Sequence, residues 1–314
     1  MILLTGANGF IGSNFAQYCY KKSKKIVLAL RNNNKSKNLN SFHKIINVGE
    51  INSNTNWISA LENINCIIHC AAVTNLMNKK DKHDYCSVNI EGTKHLAEQA
   101  AKAGVKRLIF LSSVKVNGES TGKSNGTKVF TYNDIPNPQD NYAISKFEAE
   151  QALWKVASKT GLEVVVVRLP LVYGHSAKGN LDRLIKLIYS KIPLPLGGIK
   201  NKRSLIGINN LIDVLIRCAE HPDIAGQTFL VSDGEDLSTP ELIRLLASTM
   251  GQPVKLFTVP TFVLKFLGFI IGKQSEINRL TGSLVVDNSY AREILNWTPL
   301  VSVEKGIRKM IKGE

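Results

Sequence analysis

Cysteine is sparse in this 314-residue chain: Cys19, Cys66, Cys70, Cys86 and Cys218 form an odd, scattered set with no C-x-x-C spacing. That argues against a disulfide framework and for a reducing compartment, so a cytoplasmic protein is expected. The nearby pair in "CIIHC" (Cys66 to Cys70) lies in an apolar run with no second ligand pair elsewhere. It reads as a buried strand, and no metal is expected. Acidic residues are also scarce, 25 against 40 Lys and Arg, for a formal net charge of +15. Such a surplus suits anionic partners such as nucleotides or phosphosugars, although it bears on association and not on fold. Long hydrophobic runs are missing too. The greasiest stretch, "FVLKFLGFIIG" (Phe262 to Gly272), is broken by Lys265 and falls far short of the ~20 residues of a spanning helix. It reads as a core or pocket-lining helix, with an interfacial helix as the lesser reading. "MILLTG" has neither a basic region nor a long apolar one, so no leader is expected. No aromatic-rich basic strand motif of an RNA module occurs, and nucleic acid is not expected as a partner. There is no internal repeat and no separating linker; "KKSKK" and "NNNKSKN" are the biased tracts and read as solvated loops.

What is present is alternation. Hydrophobic content of 44% and charged content of 21% are globular values. Short apolar runs recur at 2–5, 25–30, 44–48, 66–72, 106–113 and 163–170, separated by helical patterns. The fold class expected is α/β, a doubly wound parallel sheet with a smaller mixed α/β C-terminal region. A long helix is expected over 84–103, stopped by Gly104, and another over 141–159, closed by Gly161. "STPE" (Ser238 to Glu241) is a capping-box start. Two helices, at 289–295 and from 303, close the chain. Residues 1–170 are expected to form a dinucleotide-binding domain and 171–314 a substrate region, with about 205–231 packing back on the first.

In "TGANGFIG", Gly6, Gly9 and Gly12 follow the first strand and open a helix. Glycines there allow a tight turn and let backbone N–H groups approach a pyrophosphate at the helix N-terminus. Gly6, Gly9, Phe10, Ile11 and Gly12 are therefore cofactor candidates. After the second strand, where an acidic residue would hold a ribose 2′-hydroxyl, the chain has Arg31, followed by Lys35 and Lys37. Arginine can clasp a 2′-phosphate, so NADP (NADPH) is favoured, with NAD possible. "NYAISK" sets Tyr142 and Lys146 four apart on one helix face. A neighbouring ammonium would bring a phenol of ordinary pKa ~10 towards the working range. The fifth strand, in "FLSSVKVNG", ends in Ser112 and Ser113.

The glycine turn, the serine-ended strand and Y-x-x-x-K, in this order, resemble the extended short-chain dehydrogenase/reductases, in particular the nucleotide-sugar epimerase/dehydratase family. "IIHCAA", "VNIEGT", "RLPLVYG" and "LNWTP" extend the resemblance over nearly the whole chain. It implies Ser113, Tyr142 and Lys146 as catalytic residues, with Lys146 also on the nicotinamide ribose. It further implies Glu50 near the adenine, and Ala71, Ala72 and Asn89 along the cofactor. A UDP-sugar would be held by Ser112, Ser113, Lys115, Asn180, Arg203 and Arg279. One departure is Leu171, where many relatives carry a phosphate-contacting Asn. The family's 4,6-dehydratases follow the catalytic Ser/Thr with an Asp-Glu pair; here Val114 and Lys115 stand instead, so dehydration is not expected. "SSVKVNGE", "PLPLGGIKNKRSL" and "FLVSDGEDLSTPELIRLLA" resemble an O-antigen subgroup associated with 4-keto reduction to UDP-N-acetylquinovosamine and often labelled UDP-glucose 4-epimerase-like. The resemblance and Arg31 together favour reduction of a UDP-4-keto-6-deoxy sugar. The alternative is a 4-epimerase with tightly bound NAD, and a non-catalytic dinucleotide-binding regulator is a minor third. Family precedent and the long helices near Asp84 and Asn141 suggest a homodimer without a membrane span.

Overall fold

The apolar runs become strands β1 (Ile2–Thr5), β2 (Val27–Leu30), β3 (Lys44–Asn47), β4 (Cys66–His69), β5 (Arg107–Ser113), β6 (Glu163–Leu169), β7 (Leu171–Tyr173), β8 (Leu205–Gly207) and β9 (Thr228–Leu230). The structure is a computed structural model that describes residues 1–31, 43–74, 84–122, 128–177 and 179–313. Seven strands form one sheet in the order β3-β2-β1-β4-β5-β6-β9. Every pairing in it is parallel. Strands covered on both faces need no polar alternation, which is why β2, β4 and β5 are buried throughout. The order reverses between β1 and β4, so a crevice opens at their carboxyl ends.

Helices α1 (Phe10–Lys21), α2 (Ile58–Leu61), α3 (Thr93–Lys102), α4 (Asn141–Thr160), α5 (Asn180–Tyr189), α6 (Ile208–Glu220), α7 (Thr239–Thr249), α8 (Thr261–Ile270), α9 (Gln274–Thr281), α10 (Ser289–Ile294) and α11 (Val303–Lys312) follow in chain order. One face of the large sheet packs on α1, α6 and α10 through Phe15, Leu211, Leu215 and Ala291. The other packs on α3 and α4 through Leu96, Ala100, Ala149 and Leu153. Beyond β6 a separate core gathers Tyr173, Leu184, Leu205, Ile243 and Ile307 around the parallel pair β7–β8. β9 (Thr228–Leu230) returns to the edge of the large sheet beside β6.

Three features differ from the sequence-based expectation. The helix expected over 84–103 is wound as a π-helix from Tyr85 to Gly92 before α3 begins. Strand β4 stops at His69, so Ala71 and Ala72 lie in the turn after it and not in the strand. The apolar helix α8 is not a core helix. It buries Leu264 and Gly268, while Phe262, Phe266 and Phe269 stand in solvent. Hydrophobic composition alone does not tell which face of a short helix is covered. At Ser238 the capping box forms as read, with both reciprocal hydrogen bonds in place.

Candidate active site

The glycine turn is shaped by close approach. Gly6 holds φ +69°, and a Cβ on it would lie 2.7 Å from the Ala71 nitrogen; a Cβ on Gly12 would overlap the Gly6 carbonyl oxygen. The turn closes with the Gly9 N–H donating to the Gly6 carbonyl at 2.8 Å. Gly9 then caps α1 without a side-chain hydrogen bond, and no acidic residue stands in the first turn. The leading N–H groups, on Phe10, Ile11 and Gly12, therefore lack intrahelical acceptors and face the crevice end of β1. The donor set fits a pyrophosphate. Beneath it the Ala71 N–H donates to Thr5 Oγ1 at 3.2 Å, and Thr5 Oγ1 meets His69 Nδ1 at 2.7 Å. Burial, then the nearby Lys146 charge, pushes His69 down to about 3, so its imidazole is neutral. Asn89, on the π-helix, is committed to scaffolding: its side chain bonds both backbone groups of Val73 and reaches Ser145 Oγ at 3.0 Å. At the far end of the crevice Arg31 faces Glu50 at 3.5 Å, both exposed. Lys35 and Lys37 lie outside the described residues.

The reacting end is organised by Asp140. Its carboxylate caps α4, accepting the Ala143 N–H at 2.7 Å, and also accepts from Lys115 Nζ at 2.6 Å. Burial raises the Asp140 carboxyl, but the Lys115 and Ala143 hydrogen bonds outweigh it and hold the group below its ordinary range. Lys115 belongs to the 3₁₀ turn that Ser113 caps, so this bond ties the start of α4 to the end of β5. Ser113 Oγ accepts the Lys115 N–H at 3.2 Å, which leaves its own proton to donate. Tyr142 and Lys146 share one face of α4. Burial first, then the Asp140 charge and Tyr85, raises the Tyr142 phenol well above its ordinary value. Lys146 Nζ instead lies 4.2 Å from the centroid of the Phe110 ring. Burial lowers it to about 8, against opposing effects of Cys70 and Glu150. The Tyr142 phenol is therefore protonated at neutral pH, and the Lys146 ammonium is partly destabilised by burial.

Two residues expected at the sugar are otherwise engaged. Ser112 points to the opposite face of the sheet from Ser113, because successive side chains of a strand alternate. Its hydroxyl donates to the buried Glu150 at 2.5 Å. Lys115 is held by Glu119 at 2.7 Å as well as by Asp140. Arg203 and Arg279 do come together: Arg203 Nη1 donates to the Arg279 carbonyl at 2.8 Å. Burial lowers the Arg203 guanidinium against the opposing charge of Glu119, and the Arg279 charge helps to hold Asp140 low. Asn180 opens α5. The sequence reading missed Glu150, Arg168 and Asn117. Arg168 reaches Glu150 Oε2 at 2.6 Å and Asn117 Oδ1 at 3.1 Å, so with Ser112 one buried network braces β5, β6 and α4. Glu150 continues the four-residue spacing of Tyr142 and Lys146, which was the available signal.

Residues 2–232 match the NAD dependent epimerase/dehydratase family. The chain is 42% identical over 317 residues to a UDP-glucose 4-epimerase of Vibrio cholerae, covering 98% of this chain and 93% of the relative. Among solved structures it is similar to the UDP-glucuronic acid 4-epimerase from Bacillus cereus in complex with UDP-glucuronic acid and NAD, at TM-score 0.79 and 23% identity, covering 99% and 98% of the two chains. It is also similar to the UDP-glucose 4-epimerase of Thermotoga maritima with UDP-glucose, at TM-score 0.76 and 21% identity, covering 99% and 97%. At these identities the solved structures speak for the fold.

Proposed function

The chain belongs to the NAD dependent epimerase/dehydratase family, and we propose that it inverts the C4 hydroxyl of a UDP-sugar with NAD as cofactor. The observation that carries this reading is the full-length similarity to the Vibrio cholerae UDP-glucose 4-epimerase. Residues 1–170 would hold the dinucleotide and 171–314 the sugar nucleotide, with 205–231 packed back on the first.

In this reading Gly6, Gly9, Phe10, Ile11 and Gly12 receive the pyrophosphate, Ala71 and Ala72 line the cofactor, and Lys146 holds the nicotinamide ribose. Glu50 suits NAD, since a 2′-hydroxyl could donate to its carboxylate, whereas Arg31 beside it at 3.5 Å would suit a 2′-phosphate. Bound there, NAD supplies a hydride acceptor and a positive charge that lowers the barrier to the phenolate. In the NAD-bound protein Tyr142 would first release its own proton to solvent and, as the phenolate, take the proton of the sugar O4–H and later return it, while Ser113 donates a hydrogen bond to the same oxygen. Arg203 and Arg279 hold the diphosphate. After Ser113 the turn carries Val114 and an ion-paired Lys115, so the position of a dehydratase acid pair holds no carboxylate.

Arg31 favours the second reading, reduction of a UDP-4-keto-6-deoxy sugar by NADPH, which uses the same Ser113, Tyr142 and Lys146. The two separate in one experiment. The purified protein is incubated with UDP-galactose or UDP-N-acetylgalactosamine without added cofactor, and in parallel with UDP-4-keto-6-deoxy-N-acetylglucosamine plus NADPH. Epimerised sugar without NADPH loss is expected; NADPH oxidation without epimerisation would replace this reading by the second.

A further inference from the structure

The outer face of α8 has no place in the chemistry above. Phe262, Phe266, Phe269, Ile270 and Ile271 are between 61% and 74% exposed. Phe262, Phe266 and Phe269 or Ile270 follow one another at helical spacing, so they form one stripe. The opposite side is anchored. Leu264 joins the core of the C-terminal region, and Gly268 lies so close to Ile277 of α9 that a Cβ there would sit 2.6 Å from that side chain. Hence α8 is held in place with its apolar stripe outward. The strand-like stretch before it runs beside the loop after α5, the Leu194 N–H donating to the Lys255 carbonyl at 2.9 Å and the Phe257 N–H to the Leu194 carbonyl at 3.1 Å. Those two segments add Phe257 and Ile192, 49% and 60% exposed. Clustered exposed apolar side chains of this kind mark an interaction site, unlike single surface hydrophobics.

The charges around the stripe identify what covers it. No Asp or Glu occurs from Gly251 to Ser275 or from Arg183 to Arg203, while Lys191, Lys255, Lys265 and Lys273 fall in these stretches and are exposed. A second copy docked here by a two-fold axis would set the same four lysines against each other, with Glu276, whose carboxylate interacts with Lys273, answering only part of that charge. Phenylalanines flanked by lysines that outnumber the one neighbouring acid, Glu276, match the headgroup boundary of an anionic bilayer: rings enter the acyl edge and ammonium groups stay with the phosphates. We propose that the outer face of α8, with the loop that leads into it, seats the protein on an anionic lipid surface. The helix lies in the interface and does not cross it; no described helix is long and apolar enough to span a membrane. The inference is independent of which sugar reaction the active site performs.

Flotation of the full chain with vesicles tests this. Pure phosphatidylcholine is compared with phosphatidylcholine mixed with phosphatidylglycerol, at low and high salt. The protein is expected to float with the anionic vesicles at low salt and to be released by salt. F262S/F266S/F269S, which changes only exposed side chains, is expected to lower the partitioning at least about tenfold, and K255E/K265E/K273E to abolish it. Circular dichroism and thermal melting of both variants establish that they fold, and K305E/K309E on α11 serves as a charge control that still floats. Failure of the parent protein to float would overturn the proposal, and loss of a dimer in the phenylalanine variant would then assign the face to a second copy. Equal floating of the parent and the phenylalanine variant would overturn it as well.

Discussion

Tyr142, Lys146 and Glu150 stand four residues apart along α4, yet each has a different environment. Glu150 is paired to Arg168 and Ser112 in a buried network, Lys146 lies over Phe110, and Tyr142 is influenced by Asp140 and Tyr85. Burial raises the phenol, and in the proposed reaction the proton transfer is assigned to Tyr142 while Ser113 only donates a hydrogen bond to O4. Tyr142→Phe is expected to cut turnover by about 10²–10⁴-fold while cofactor binding, read by calorimetry, is kept. Lys146 carries a pH signature. Its folded value is lowered from 10.5 to about 8. Between those values the unfolded chain binds the extra proton, so the contribution of Lys146 to stability increases as pH rises from 8 towards 10.5. Denaturant titrations at several pH values are expected to show this increase in the parent protein and a flatter profile in Lys146→Met.

At the scale of elements, the glycine turn and the capping box were legible because both are local: each uses residues within eight positions of one another. The same holds for α4, whose Asp140 cap and Gly161 terminator in the left-handed conformation bracket the helix. Other features depend on distant partners. Wider winding at 85–92 accompanies the bonds of Asn89 to Val73 and Ser145, neither of which is a neighbour in sequence. Ser112 and Ser113 look alike in sequence, and only the pleat of β5 and the position of Glu150 separate them. The exposed stripe of α8 departs from the core or pocket-lining reading because hydrophobic composition does not tell which face of a short helix is covered. One prediction belongs here. Gly12→Ala must displace the Gly6 carbonyl, and so is expected to weaken NAD binding by at least about tenfold through the distorted N–H cradle. Fluorescence titration with NADH checks this, with a thermal melt to show that the fold survives.

The whole molecule brings together residues far apart in the chain. Arg203 meets Arg279, 76 residues further on, through the hydrogen bond to its carbonyl. Nothing in the local pattern of "NKRSL" or "NRLTGS" specifies that meeting; the family resemblance named each arginine as a substrate candidate but not their contact. The basic surplus is likewise divided once the fold is known. Part of it is bound up in ion pairs such as Lys115 with Asp140, and part lies in the lysine-rich stretches beside α8. The central claim is that one site takes a hydride from C4 of a UDP-sugar and returns it to the same carbon. A UDP-galactose deuterated at C4, turned over without added cofactor in ordinary water, tests it most directly by NMR and mass spectrometry of the product. The account predicts UDP-glucose that keeps the deuterium at C4; product that has exchanged it for solvent hydrogen, or no product unless NADPH is supplied, would contradict it.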